Sequence, residues 1–459
     1  MKRIFGYLII SVLFGCRVGP DFTIPEMVKT KKEYSELRGT KTDSLSRIKW
    51  FEVYKDEALN QLIQHALDSN RSLLTAIANV EEARANASMV KADLLPKFNY
   101  GLNTRSSSFG SGTPLGIANM NPTNFNANIG MGWEIDLFGK VRNAKLSAIN
   151  QYMATDEIRK NVQVSLIAEV ASNYFLLRDL DNRLIIAQRT LESRKELFRI
   201  INERFTKGYI SEIDKLQADQ QLSVAETMIP RIKRQITTVE NTLKLLCGRL
   251  NGPINRGKTN YEQQLPPTIP VGLPSELLER RPDIKAAEYT VSAQYNRIGI
   301  AQANRFPTLS LTAAFGLVSP QVSSLVNANS LYGTGFASLT GPLFEFNKNK
   351  NRVEIERKKA IAVTRKYEET VIGAFAEVEN SLNQIQNLEE EYTAYKRQVA
   401  ITQKAYALSK LRYTTGYTSY MEVLLQETSL LQAEMEESST LQQRNTAIVN
   451  LYKALGGGW

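Results

Sequence analysis

The sequence predicts an α+β membrane protein whose strands and long coiled-coil helices are written twice along one chain. Three observations predict it: a segment that returns 208 positions later, a heptad of apolar residues in both copies, and paired alternating stretches at matching places ahead of each heptad.

The repeat is clearest at Arg204-Phe-Thr-Lys-Gly208-Tyr209-Ile-Ser211, which returns as Arg412-Tyr-Thr-Thr-Gly416-Tyr417-Thr-Ser419. Upstream the same shift pairs Val170 with Val378, Leu177 with Ile385, Leu184 with Tyr392, Leu191 with Val399, Phe198 with Tyr406 and Phe205 with Tyr413. Leu180, Ala187 and Ile201 fall between them, matched by Leu388, Tyr395 and Ser409. This is a seam of coiled-coil type, with Arg194 as its main exception. Gly373 is the only interruption in the stretches 145–205 and 352–413, each roughly 60 residues and so on the order of 90 Å as helix. Helices of that length do not fold back into a compact domain.

Gly208 and Gly416 end these stretches, since glycine takes the left-handed conformation that closes a helix, and Ser211 and Ser419 are placed to cap the next one. The chain therefore makes two hairpins, returning to about residues 250 and 455. Pro230 lies inside the first return helix, where it should kink it, and has no counterpart in the second.

Shorter helices are expected at 57–94 and 275–304, the second opening on Pro274 and Ser275, with Pro96 and Pro307 stopping them. Strands follow at about 97–109, 124–138, 307–318 and 330–344. In the second, Phe125, Ala127, Ile129, Met131, Trp133, Ile135 and Leu137 alternate with polar or tiny residues; the fourth is glycine-rich and alternates poorly. Such a pattern fits a soluble sandwich with one wet face as well as a membrane barrel that is apolar outward and polar inward.

The N-terminus favours the membrane. Lys2 and Arg3 followed by the apolar stretch 4–14 form an export signal, 1–15, ending Leu13-Phe14-Gly15-Cys16. This is close to the pattern at which lipoprotein signals are cut, although Phe14 is bulkier than usual and a chance cysteine after an ordinary signal is the alternative. Cys16 would then carry the lipid anchor. Four strands cannot close a barrel, and an open edge in lipid leaves backbone groups unpaired, so copies must share one. Two copies give eight strands with a filled interior; three give twelve and a lumen.

Composition excludes several classes. With 23% charged residues the 459-residue chain is neither wholly disordered nor a bundle of membrane helices, and no later apolar run reaches the roughly 20 residues that a spanning helix needs. Removal of Lys2 and Arg3 leaves 55 basic against 47 acidic side chains, an excess of +8 spread along the helices; charge alone would allow nucleic-acid binding, but an exported protein rarely meets any, so none is expected. Once Cys16 is lipidated, Cys247 has no disulfide partner. The single histidine, His65, has no nucleophile, metal-spaced ligand or phosphate loop to act with, so no catalysis and no cofactor beyond the lipid are expected. A lipid-anchored coiled-coil tether is the rival reading, but it leaves the strand pairs unexplained.

The start of the mature chain, Cys16-Arg-Val18-Gly19-Pro20-Asp21-Phe22-Thr-Ile-Pro25, resembles the opening of the lipoprotein branch of TolC-like outer-membrane factors. Trp133-Glu134-Ile135-Asp136-Leu137-Phe138-Gly139-Lys140, Glu279-Arg280-Arg281-Pro282-Asp283-Ile284 and the doubled Arg-aromatic-x-x-Gly tip are similar to three further hallmarks of that family, in family order. The resemblance implies a homotrimer with a twelve-stranded barrel in the outer membrane, a periplasmic α-barrel and an equatorial belt from 16–53, 251–274 and the C-terminus. The repeats then occupy 54–250 and 275–459. It further implies an exit duct for a periplasmic adaptor and an inner-membrane resistance-nodulation-division pump, moving small molecules passively.

By the same resemblance the tips are where the duct closes and where the adaptor docks, through Arg204, Gly208, Tyr209, Ser211, Arg412, Gly416, Tyr417 and Ser419. Asp214 and Glu422, six residues past each tip glycine, would line the closed mouth, or else be solvated acids near a helix N-terminus. One turn further on, where some members have a second acid, stand Gln217 and Leu425, so the gate is expected to be less acidic. Arg204 and Arg412, with Tyr209 and Tyr417, are candidates for bonds between hairpins, or else helix-end arginines beside carbonyls and packing tyrosines. Nothing in the sequence names the substrate.

Overall fold

The computed structural model describes residues 17–23, 54–106, 123–263 and 279–457. The export signal, Cys16, most of the 16–53 segment, the end of the first expected strand and the 264–274 part of the connector lie outside the described residues. The chain divides into two compact units, the first holding Asn79–Asp156 and Ala286–Glu368 and the second Glu157–Lys285 and Glu369–Trp459.

In the first unit four strands, β1 (Lys97–Ser106), β2 (Thr123–Ile135), β3 (Thr308–Ser319) and β4 (Leu331–Thr340), form an antiparallel sheet in sequence order. The register sorts the side chains. Tyr100 lies opposite Ile129, Ile129 opposite Phe315, and Phe315 opposite Gly333, while Leu309 faces Leu339. Directly opposed residues share a face. One face therefore carries Phe98, Tyr100, Leu102, Ile129, Met131, Trp133, Leu309, Leu311, Phe315, Leu331 and Leu339, and its large side chains Phe98, Tyr100, Leu102, Ile129, Phe315 and Leu339 are exposed. The other carries Asn99, Asn103, Asn126, Asn128, Thr312, Thr334 and Ser338, joined in part by the Tyr332 hydroxyl, which donates to Asn126 Oδ1 at 3.1 Å and accepts from Asn128 Nδ2 at 3.2 Å. Register thus supplies the alternation that β4 lacks on paper: Leu331, Ala337 and Leu339 point one way, with Gly333 and Gly335 between them.

β2 and β4 stop short of 138 and 344. Pro307 directly precedes β3, so nothing on β3 can pair beyond Thr308 and Thr340. On β2 the chain turns at Asp136, whose carboxylate accepts from the backbone N–H of Val141 at 3.1 Å and of Arg142 at 2.8 Å, capping the helix that begins at Lys140. Gly139 completes the corner at φ +77°, and Phe138 stacks on Phe306 at 4.6 Å. The Trp133 indole donates to the Leu94 carbonyl at 3.0 Å, and Lys140 pairs with Glu134 at 2.9 Å. Trp133-Glu-Ile-Asp-Leu-Phe-Gly-Lys140 is a strand-to-helix corner.

The start of the described chain is seated on that corner. Arg17 donates to Asn143 Oδ1 at 2.7 Å and Asn296 Oδ1 at 2.8 Å, Asn143 donates back to the Val18 carbonyl at 2.9 Å, and a Cβ on Gly19 would lie 2.8 Å from the Gly299 Cα. Asn143 is fully buried, while Arg17 keeps part of its side chain in water.

Two hairpins make up most of the second unit. The long helices α3 (Lys140–Thr206) and α6 (Lys348–Thr414), which begin in the first unit, have 67 residues each; the return helices α4 (Glu212–Leu246) and α7 (Tyr420–Ala454) have 35 each. All four boundaries repeat at the 208-residue shift. The helices start four to five residues earlier than the apolar pattern indicates; for α3 the reason is the Asp136 carboxylate, which has already capped the helix ahead of the apolar positions.

The return helices differ in burial. α7 hides Tyr420, Val423, Leu430, Leu441, Ile448 and Leu451 among others, whereas α4 hides only five side chains. Pro230 lies on an exposed position of α4, which continues through it, while its counterpart Ser438 is buried and donates to Asp179 at 2.6 Å. A missing N–H is tolerable on the wet helix.

The first short helix is two helices, α1 (Glu57–Ser69) and α2 (Arg71–Ala92), rather than one over 57–94. Asn70 breaks it with extended backbone; its amide donates to the Leu246 carbonyl at 2.8 Å and its Oδ1 caps Leu73 N at 3.0 Å. A side chain that serves two helix ends outweighs continuation of the ladder. The second short helix runs as α5 (Pro282–Ala303) after a break at Arg281, not unbroken from 275. Arg281 is buried and bonds Asp283 at 2.6 Å, Glu377 at 2.8 Å and the Ala454 carbonyl at 2.9 Å, joining three helices at one guanidinium.

Candidate functional site

Both tips close by the same local chemistry. Gly208 at φ +76° and Gly416 at φ +84° take the left-handed conformation; the N–H of Tyr209 bonds the Arg204 carbonyl at 2.9 Å and that of Tyr417 the Arg412 carbonyl at 2.8 Å. A Cβ would meet nothing within 4 Å at either glycine, so backbone conformation alone demands glycine there.

Ser211 caps α4 as expected. It forms a capping box with Asp214: its hydroxyl lies 3.4 Å from the Asp214 N–H and donates to Asp214 Oδ2 at 2.8 Å. Ser419 has the same extended backbone but makes no side-chain cap. The sixth residue after the second glycine is Glu422, one methylene longer than aspartate, and its carboxylate is engaged by the Thr418 hydroxyl and lies 4.0 Å from Arg412 Nη1. Within one chain, then, Asp214 and Glu422 stand at helix N-termini, half in water.

Of the four candidates for bonds between hairpins, one bridges them here. Arg204 reaches from the first hairpin to the Thr414 carbonyl at 3.4 Å and lies 4.7 Å from the Tyr413 ring centroid. Arg412 turns to Glu422 in its own hairpin, and Tyr209 and Tyr417 are exposed. Behind Arg204 the tips share a core of Leu197, Ile201, Ala218, Tyr413, Tyr420 and Val423. Burial pushes the Tyr420 phenol up to about 12 and raises that of Tyr413, so both stay neutral.

The larger polar feature of this region was hidden in the main exception to the heptad. Arg194, on α3, is buried and ties that helix to α7 and α4. Its Nε lies 3.1 Å from Glu427 Oε2 on α7, and its Nη1 donates to the Gln221 carbonyl on α4 at 2.8 Å. Ser193 donates to Glu427 Oε1 at 2.9 Å, and the Tyr406 hydroxyl on α6 lies 3.3 Å from the same oxygen. The carboxylate and the guanidinium are thus both paired and further bonded, as buried charges require. A charged residue inside an otherwise apolar seam was the available signal.

Among the described residues no helix is long and apolar enough to cross a membrane and no cluster of side chains is set to hold a metal ion. His65 is exposed on α1.

The arrangement is a sheet apolar on one face and polar on the other, followed twice by a long hairpin. Residues 62–249 and 273–457 match the family model described as outer membrane efflux protein.

The chain belongs to the outer membrane efflux protein family.

It is 30% identical to the outer membrane protein OprJ of Pseudomonas aeruginosa, the match covering 100% of this chain and 97% of that one, and 28% identical to the cation efflux system protein CusC of Escherichia coli, covering 100% and 99%. Among solved structures, a crystal structure of a membrane protein from Pseudomonas aeruginosa superposes with a TM-score of 0.90 at 29% identity, over 97% of this chain and 98% of that one. The open state of the Neisseria gonorrhoeae MtrE outer membrane channel gives a TM-score of 0.88 at 28% identity, over 96% and 98%. This outer membrane efflux protein is the outer-membrane exit duct of a tripartite efflux system, and its function is transport. The fold is that of the efflux channels, a four-stranded sheet joined to long helices.

Proposed function

We propose that three copies of the chain close their sheets into one twelve-stranded barrel and their hairpins into one tunnel, which carries small molecules passively outward. The observation that carries this reading is the sheet: among the described residues its apolar face is uncovered, and β1 and β4 each pair on one side only. In lipid those edges are untenable singly and satisfied by pairing with further copies. The duct performs no catalysis and takes no cofactor beyond its lipid.

That lipid is a thioether-linked diacylglycerol on Cys16, anchoring the chain in the outer membrane. Its neighbour Arg17 supports the assignment: it is bonded to Asn143 beside the strand-to-helix corner, where the sheet ends.

Partners are a periplasmic adaptor docking on the tips and an inner-membrane pump of the resistance-nodulation-division class. CusC, by its name, belongs to a cation efflux system, and OprJ carries no substrate in its name. Asp214 and Glu422, repeated threefold, place six carboxylates around the closed mouth and favour cations there. Bilayer conductance tests this: Asp214→Lys with Glu422→Lys shifts the reversal potential toward anions in a salt gradient. An unchanged reversal potential removes both acids from the mouth, and absence of any conductance from the purified trimer removes the duct.

A further inference from the structure

The repeat that builds the chain also fixes how two chains join. Pro96 and Pro307 directly precede β1 and β3, so these strands are counterparts at an offset of 211 residues; Thr123 and Leu331 open β2 and β4, counterparts at 208. The contact between β2 and β3 is therefore already a junction of one repeat with the other. Its partner junction, β4 with β1, is missing inside the chain, because those strands are the two edges of the sheet.

We infer that β4 pairs antiparallel with β1 of a second copy in the register that β2 and β3 display. Met131 opposite Ala313 becomes Leu339 opposite Leu102 of the partner subunit. Gly130 opposite Ala314 becomes Ser338 opposite Asn103 of the partner subunit. Trp133 opposite Leu311 becomes Gly341 opposite Tyr100 of the partner subunit, and Ile135 opposite Leu309 becomes Leu343 opposite Phe98 of the partner subunit. This deepens the trimer reading and rests on it.

Side-chain pattern, steric fit and strand length agree with that register. Leu339 and Leu102 lie on the apolar face of the sheet, and Ser338 and Asn103 on the polar face. A slip by one residue would set an apolar edge against a polar one at every position. Tyr100, 86% exposed in the single chain, meets Gly341, which has no side chain to collide with its ring. The repeat also says that β4 is short: the counterparts of Trp133 to Ile135, which are strand, are Gly341 to Leu343, which find no partner on β3 because Pro307 ends it.

Assembly therefore lengthens β4 to Leu343. Pro342 lacks an N–H and removes at most one ladder bond from that extension. Leu343 is fully exposed in the single chain and Phe98 is 70% exposed, so the pairing sets two uncovered apolar side chains side by side.

Cysteine pairing tests the register in the full-length chain, in outer membranes, with Cys247→Ser as background. Directly opposed residues on paired strands bring their Cβ atoms to about 4.5–5.5 Å, near disulfide range. Inside one chain β1 and β4 are three strand spacings apart, about 14 Å, so any disulfide is between copies. Leu102→Cys with Leu339→Cys, and Asn103→Cys with Ser338→Cys, are expected to give covalent trimers on a non-reducing gel. The two-residue slips, Thr104→Cys or Tyr100→Cys with Leu339→Cys, should give several-fold less. Stronger linking by a slipped pair overturns the register and leaves the trimer standing. If no pair links while the native mass is that of a trimer, β4 does not meet β1 and the inference falls alone; a monomeric mass in mild detergent sinks it together with the trimer.

Discussion

Arg194 and Glu427 form a buried ion pair at 3.1 Å between the two hairpins, and each is held by at least one further hydrogen bond. Removing one partner leaves a charge in a nearly dry seam. Glu427→Ala is expected to destabilise the folded chain by about 3–5 kcal/mol, and the double replacement Arg194→Met with Glu427→Leu far less, because no charge is then stranded. Thermal unfolding in detergent of the two singles and the double gives the coupling directly; additive losses would mean that the pair does not interact as placed.

The two tips should respond differently to the same change. Ser211→Ala removes a capping box and should cost about 0.5–2 kcal/mol, whereas Ser419→Ala removes no side-chain bond and should be close to neutral. Equal shifts in melting temperature would contradict the asymmetry.

Glycines at positive φ separate into two kinds. Gly208→Ala and Gly416→Ala meet no neighbouring atom and should cost only the left-handed backbone term, about 1–2 kcal/mol. At Gly248, φ +63°, a Cβ would lie 2.3 Å from the Ser69 carbonyl oxygen, so Gly248→Ala must also displace the start of the α1–α2 break. Its loss of melting temperature should clearly exceed the other two.

Glu437 gives a pH test. Burial, and secondarily Glu434, raise its carboxyl above the ordinary glutamate value of 4.5, with Lys396 opposing. A carboxyl raised on folding contributes stability that is fully present below its unfolded value and is lost as pH rises through the folded one. Glu437→Gln should therefore gain melting temperature relative to the parent at pH 7, and the gain should vanish below about pH 4.5. A difference independent of pH would exclude the carboxyl as its source.

Much of the fold was legible because it rests on period. The heptads through Val170, Leu177 and Val378, the alternation from Phe125 to Ile135 and the doubled Arg-aromatic-x-x-Gly tips are each local patterns that survive translation into one dimension. The break at Asn70 was not legible. It depends on the Leu246 carbonyl, 176 residues away, which needs a donor at that spot. Ser419 failed as a cap for a similarly specific reason: Thr418 binds the carboxylate that a capping box would use. Arg194 could be flagged as foreign to its seam, but its partner on α7 could not be named.

The sequence by itself determined the two copies, the alternation of faces and the hairpin tips, since each follows from the spacing of apolar residues and from backbone needs of single glycines, while the membrane setting was favoured by the N-terminal signal and Cys16. Only the tertiary structure decided which return helix is buried, where Arg194 and Arg281 find their carboxylates, and which strands are left as edges. Those outcomes turn on distances between residues far apart in the chain. A buried charge or an unpaired strand is satisfied by whatever group folding brings beside it, and that neighbour is not written next to it.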